Sequence, residues 1–160
     1  MQVQEVSDDK PVMTKNAELL DQVRTLMRVM LVSERTSPEH QHVMRYSALD
    51  FHTLGMLRER SVLRASDVAD DLGVAPTTIS SAVARLVKRG LIARTQSDTD
   101  RRAYDLRLTE EGQQIAQAIH SQDLRNMELF LSALAPEEQE TLITLLSKVA
   151  TRVAALEGSG

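Results

Sequence analysis

From Ser66 to Gln96 the chain reads SDVADDLGVAPTTISSAVARLVKRGLIARTQ, and this run limits the fold more than any other part of the sequence. Ser66 is placed to cap a short helix, Asp67 to Leu72, which Gly73 ends with a left-handed residue. Pro76 then opens a second helix at its first position, where a missing N–H costs nothing. That helix is predicted to run to about Arg89, with Gly90 as its stop. Val68, Leu72, Ile79, Val83 and Leu86 recur where two such helices would face each other. A short helix, a glycine turn and a second helix locked by apolar contacts describe a helix-turn-helix.

The outer face of the second helix carries Thr77, Thr78, Ser80, Ser81 and Arg85. In a helix-turn-helix the first helix braces the second, which enters the major groove. Short hydroxyls let a helix approach base edges and phosphates closely, and its N-terminus adds N–H donors and a positive dipole end. The next segments, Leu91 to Gln96 and Ala103 to Leu108, both alternate apolar and polar residues and read as a β-hairpin. Its tip, SDTDRR, carries Arg101 and Arg102. Taken alone, such a turn is simply hydrophilic. Directly after a helix-turn-helix it reads as a wing, with an arginine suited to the negative potential of a narrow minor groove. Asp100, two residues from Arg102, is placed to orient its guanidinium.

Helices are expected on both sides. One spans about Thr14 to Ser33, with Leu19, Val23, Leu26, Met27 and Met30 on one face. Val29, Leu31 and Val32 widen that face, which predicts burial on more than one side. Thr36 to Arg45 is polar, contains Pro38 and reads as a loop. Ser47 caps a helix to about Arg60, with Asp50 closing an acidic variant of the capping box. Thr109 caps another, reaching about Leu134, and Pro136 begins a last one striped by Leu142, Leu145, Leu146, Val149, Val153 and Leu156. The fold class is mainly α with a small β-hairpin. Aromatics at 2% favour helices over sheets, because strands prefer aromatic and β-branched residues.

Charge and composition narrow the function. The chain carries −4 overall, yet Arg85 to Arg107 holds seven cations against three anions. A basic patch on an acidic body suits DNA, since phosphates feel the near field most. The absence of cysteine excludes disulfides, thiolate metal sites, cysteine nucleophiles and thiol-based sensing. No stretch approaches the ~20 apolar residues of a membrane span, and polar, acidic Met1 to Lys10 does not read as a signal peptide. The expected compartment is the cytoplasm. No Gly-rich phosphate loop, HExxH or GxSxG is present, so no enzyme is expected and no cofactor.

Three features together resemble the MarR family of winged helix-turn-helix regulators. They are the LxxxGLIxR transition from Leu86 to Arg94, the DRR tip of Asp100, Arg101 and Arg102, and LTEEG from Leu108 to Gly112. The likeness covers Tyr46 to about Leu134 and implies a homodimer with interleaved terminal helices. Each subunit would offer one recognition helix, Pro76 to Arg89, to half of a palindromic operator. The resemblance makes Thr77, Thr78, Ser80 and Ser81 groove-facing, with Arg85 nearby. It makes Arg102 the minor-groove residue, with Asp100 as its support, and gives Arg94 a phosphate contact or a role in buttressing the wing. Independently, the apolar stripes at Leu19, Val23, Leu142, Leu145, Val149 and Val153 need cover, which points to a dimer interface.

Four parts are expected: a flexible tail over 1–13, an N-terminal dimerisation helix and loop over 14–45, a DNA-binding lobe over 46–112, and C-terminal dimerisation helices over 113–157. The function expected is a homodimeric repressor, bound to double-stranded DNA and released by a small phenolic or aromatic effector. Met30, Met44, Arg45, Tyr46, Phe51 and His52 are the candidate pocket, although for any single one of them ordinary core is the better explanation. Two alternatives stand beside this reading. One is a metal-responsive regulator, for which Glu39, His40, His42, His52 and His120 give too few clustered ligands. The other is a protein-interaction module that uses the scaffold without DNA, against which the wing arginines weigh.

Overall fold

A computed structural model describes residues 14–36 and 46–157, with the side chains of 31–36 left aside. The expected tail, nearly all of the expected loop, and Glu39, His40, His42, Met44 and Arg45 lie outside the described residues. Two compact units divide the chain, Met1–Met44 and Arg45–Gly160.

In the first unit α1 spans Lys15–Thr36, three residues past the expected end. The Thr14 hydroxyl accepts from the Ala17 N–H at 3.3 Å and opens the helix. Among the described side chains of α1 none is buried, and Leu31 and Val32, expected to widen the face, are not among them. Leu19 is 66% exposed, and Leu20, Val23, Leu26, Met27 and Val29 are exposed with it.

The second unit runs α2 (Ala48–Arg60), β1 (Leu63–Arg64), α3 (Ala65–Leu72), α4 (Pro76–Lys88), β2 (Ile92–Gln96), β3 (Tyr104–Leu108), α5 (Glu110–Ser132) and α6 (Pro136–Glu157). The expected capping box forms at the start of α2: Ser47 Oγ accepts from the Asp50 N–H at 3.2 Å, and Asp50 Oδ2 from the Ser47 N–H at 3.0 Å. At α3 the expectation needs correcting. Its cap is Arg64, two residues before Ser66, and Asp67 Oδ2 accepts the Arg64 N–H at 2.9 Å. The cause is β1, an unexpected strand that holds Arg64 extended and leaves the helix to begin at once.

The sheet is antiparallel in the order β1-β3-β2, pairing Leu63 with Leu106 and Arg94 with Leu106 from either side. Leu54, Leu57, Val68, Ile79, Val83, Leu86, Leu91, Ile92 and Leu106 form the core beneath it. Four of the five apolar residues expected to lock α3 onto α4 are buried, and Leu72 packs half-buried at the margin. Gly73 and Gly90 both adopt the left-handed backbone, at φ 62° and 74°, as chain reversals after α3 and α4 require.

One junction fixes α5 to the sheet. The Thr109 N–H donates to the Leu91 carbonyl at 3.0 Å, and its hydroxyl to the Gly90 carbonyl at 2.6 Å. The same hydroxyl accepts from the Gly112 N–H at 3.0 Å, so one threonine caps α5 and ties it to the start of β2. A Cβ on Gly112 would sit 1.9 Å from the Leu91 oxygen. The expected division at 112/113 therefore passes through the first turn of a continuous helix. Gly112→Ala is expected to destabilise the fold by at least about 1–3 kcal/mol, because backbone rather than a flexible side chain blocks the new methyl. Urea unfolding tests this, and an unchanged midpoint would show that the junction is looser than described.

Candidate nucleic-acid interface

Helix α4 divides into two faces. Ile79, Ala82, Val83 and Leu86 are buried, while Thr77, Thr78, Ser80 and Ser81 are exposed. Pro76 begins the helix and leaves its amino end open to solvent. The Ser81 hydroxyl donates to the Thr77 carbonyl at 3.1 Å, so one of the four hydroxyls is satisfied within its own helix. No bulky side chain stands among these four. The helix can lie close to a polyanion, with the positive end of its dipole toward it.

The wing is built from backbone hydrogen bonds. The Ser97 N–H reaches the Ala103 carbonyl at 3.0 Å, and the Ala103 N–H reaches Asp100 at 2.9 Å. Gln96 Nε2 donates to the Arg101 carbonyl at 2.6 Å. Asp100 does support Arg102, but through the main chain: Oδ1 accepts the Arg102 N–H at 2.9 Å. A carboxylate two residues upstream of a tight turn closes it more readily than it reaches the far end of a long side chain. Both Arg101 and Arg102 are thereby left exposed at the tip.

Behind the tip stand two further arginines. Arg94, on β2, holds its guanidinium 4.4 Å above the Tyr104 ring across the hairpin. Arg64 Nη2 donates to Thr99 Oγ1 at 3.2 Å, joining β1 to the wing turn. They border a cleft of about 240 Å³ between α4 and the sheet, which Ser66 and Ser80 also line. Sequence reading passed over Arg64 because its partner, Thr99, lies 35 residues away.

Arg85 is placed differently from the hydroxyls. Its guanidinium is 2.9 Å from the buried Asp50 carboxylate, so it is tied to α2. Of the candidate pocket residues, Tyr46 and Phe51 meet edge to face at 5.9 Å, and His52 is exposed. Met30 is half-buried in the other unit. Among the described residues no three His, Cys, Asp or Glu side chains cluster to hold a metal. His120 instead faces Asp123, whose carboxyl is pushed up by burial and drawn partly back by the histidine. No described helix is long and apolar enough to cross a membrane.

Residues 47–104 match the model of the MarR family. The HTH-type transcriptional regulator PecS of Dickeya dadantii is 28% identical over 130 residues, 79% of this chain and 78% of PecS. The HTH-type transcriptional repressor MdtR of Bacillus subtilis is 32% identical over 97 residues, 61% of this chain and 63% of MdtR, just under two thirds of that protein. Streptococcus pneumoniae FabT, solved in complex with DNA, superposes with a TM-score of 0.73 at 22% identity, over 87% of this chain and 95% of FabT. At that identity the likeness is one of fold. The curated relatives are regulators, not enzymes.

The wing geometry makes its own prediction. Asp100→Ala removes the acceptor that closes the turn, at a cost of about 1 kcal/mol locally, and is expected to speed amide hydrogen exchange at Arg102. Exchange at the native rate would show that the backbone turn holds without the carboxylate.

Proposed function

The chain belongs to the MarR family, and from that premise we propose that it is a homodimeric, sequence-specific DNA-binding regulator, a repressor released by a small aromatic or phenolic effector in the cytoplasm. The observation that carries this reading is the pairing of two exposed elements. One is a helix face of short hydroxyls, Thr77, Thr78, Ser80 and Ser81; the other is a wing tip with Arg101 and Arg102 bare. The first fits the major groove and the second the minor groove or backbone. Arg94, braced on Tyr104, is the phosphate contact nearest the wing. Repression follows the description of MdtR, and release by an effector follows the family resemblance.

A second copy is the partner that the apolar surface asks for. Helix α6 is 22 residues long and buries none of them. Leu145 and Val149 are 56% and 58% exposed, and Leu124, Met127 and Leu129 on α5 are exposed as well. Leu142 is half-buried in an apolar cleft with Leu134 and Leu145. Added to the exposed stripe of α1, this exceeds what a monomer ordinarily leaves in water. A two-fold dimer would cover it and would present two recognition helices at once.

Fluorescence anisotropy with the duplex upstream of the gene, against a scrambled duplex at two salt concentrations, tests the function. Tight, salt-sensitive preference for the upstream fragment is expected. No binding to either duplex at low salt would point to the protein-interaction alternative. Arg102→Ala is expected to weaken specific binding by about 1–3 kcal/mol, and unchanged affinity would remove the wing assignment. Leu145→Asp with Val149→Asp is expected to give monomers by analytical ultracentrifugation. An intact dimer would place the interface elsewhere.

A further inference from the structure

We propose that Asp50, in the first turn of α2, and Tyr46, just before that helix, are positioning residues for the recognition helix: they set the rotation of α4 by holding Arg85 and Arg89. This rests on α4 being the DNA-reading element. The Asp50 side chain is 4% exposed, and both of its oxygens are engaged. Oδ2 closes the cap of α2 on the Ser47 N–H, and Oδ1 accepts Arg85 Nη2 at 2.9 Å. A buried carboxylate needs a cation and full hydrogen bonding to be tolerated, so the pair is held tightly and the Arg85 side chain with it. One turn further along α4, at its end, the Arg89 guanidinium lies 4.7 Å above the Tyr46 ring, which is itself braced edge-on by Phe51.

The helical repeat gives these contacts their meaning. Thr78, Ser81, Arg85 and Arg89 follow one another at three- and four-residue spacing, along one stripe of α4. The first part of that stripe is the exposed hydroxyl face. Its last two turns are held by an ion pair to α2 and a ring contact to Tyr46 just before it. Apolar packing beneath α4 tolerates small rotations, since it is non-directional. A charge-assisted hydrogen bond on the stripe itself is directional. The direction in which Thr78 and Ser81 point is therefore set by a carboxylate on another helix, 35 residues away in sequence. Arg85, which the sequence placed beside the groove-facing residues, becomes the anchor of that face and not a reader on it.

The sign of one substitution separates this from a direct role. Removing an acid near DNA strengthens binding if the acid only repels phosphate. The positioning role predicts the reverse. Asp50→Asn should weaken specific binding by about tenfold, and leave scrambled-duplex affinity and the salt slope unchanged. Arg85→Ala should give the same loss with the same slope, and the double variant should lose no more than either single. Tyr46→Leu should lower the specific-to-scrambled ratio in the same direction. Thermal unfolding accompanies each anisotropy titration. If Asp50→Asn does not fold, Arg85→Gln, at a half-exposed position, carries the test alone. The proposal is overturned if Asp50→Asn keeps or raises specific affinity, or if Arg85 variants reduce the salt slope by about one, the mark of a phosphate contact. Failure of the wild-type protein to bind any duplex would instead remove the DNA-binding reading itself.

Discussion

The Leu91 carbonyl is the point on which the rest of the lobe turns. It accepts from the Thr109 N–H and lies against Gly112, so the start of β2, the end of β3 and the first turn of α5 meet within one hydrogen bond. Gly90, at positive φ, has just brought the chain out of α4. Three elements that would otherwise be free to hinge are thus referred to a single backbone atom. The wing's position relative to α4 follows from it, and so does the origin of the long helix that leaves the lobe.

Local signals in the sequence were strong where the structure is decided locally. As helix starts and stops, Ser47 with Asp50, Gly73, Pro76, Gly90 and Thr109 each act within four residues, and each does what its side chain or backbone favours. The alternation in LIARTQ and AYDLRL likewise marks two strands, each shorter than expected by its first residue. What escaped is what depends on distance. The two-residue strand Leu63–Arg64 is too short to show a period, and only β3 makes it a strand. The Arg64 cap follows from that pairing. The Arg85–Asp50 and Arg64–Thr99 contacts each span 35 residues, and no spacing rule reaches that far. Asp100 supports the wing through the Arg102 N–H and not its guanidinium, because Arg102 offers two kinds of donor and the nearer one closes the turn.

Surface chemistry divides the second unit by task. Cations collect on α4 and the hairpin, while α5 and α6 carry the exposed leucines, valines and methionine. An acidic body under a basic reading surface limits unspecific attachment to nucleic acid, since the long-range field of the whole chain opposes what the near field favours. Discrimination then depends on close approach, which is where the short side chains of α4 are effective.

That choice of side chains has a consequence for how much information the helix can extract. A serine or threonine hydroxyl donates or accepts with equal ease, whereas amide and guanidinium groups match a single base edge with two bonds at once. From Pro76 to Val83 there is no Asn, Gln, Arg or Lys. On the proposed reading, a helix built this way is a low-resolution reader that tolerates several bases at each position it faces. On the proposed dimeric reading, its targets would differ from one another at those positions and agree in half-site spacing and in the groove width presented to the wing. Such a vocabulary is easily acquired by new promoters during evolution, and rarely lost through a single base change.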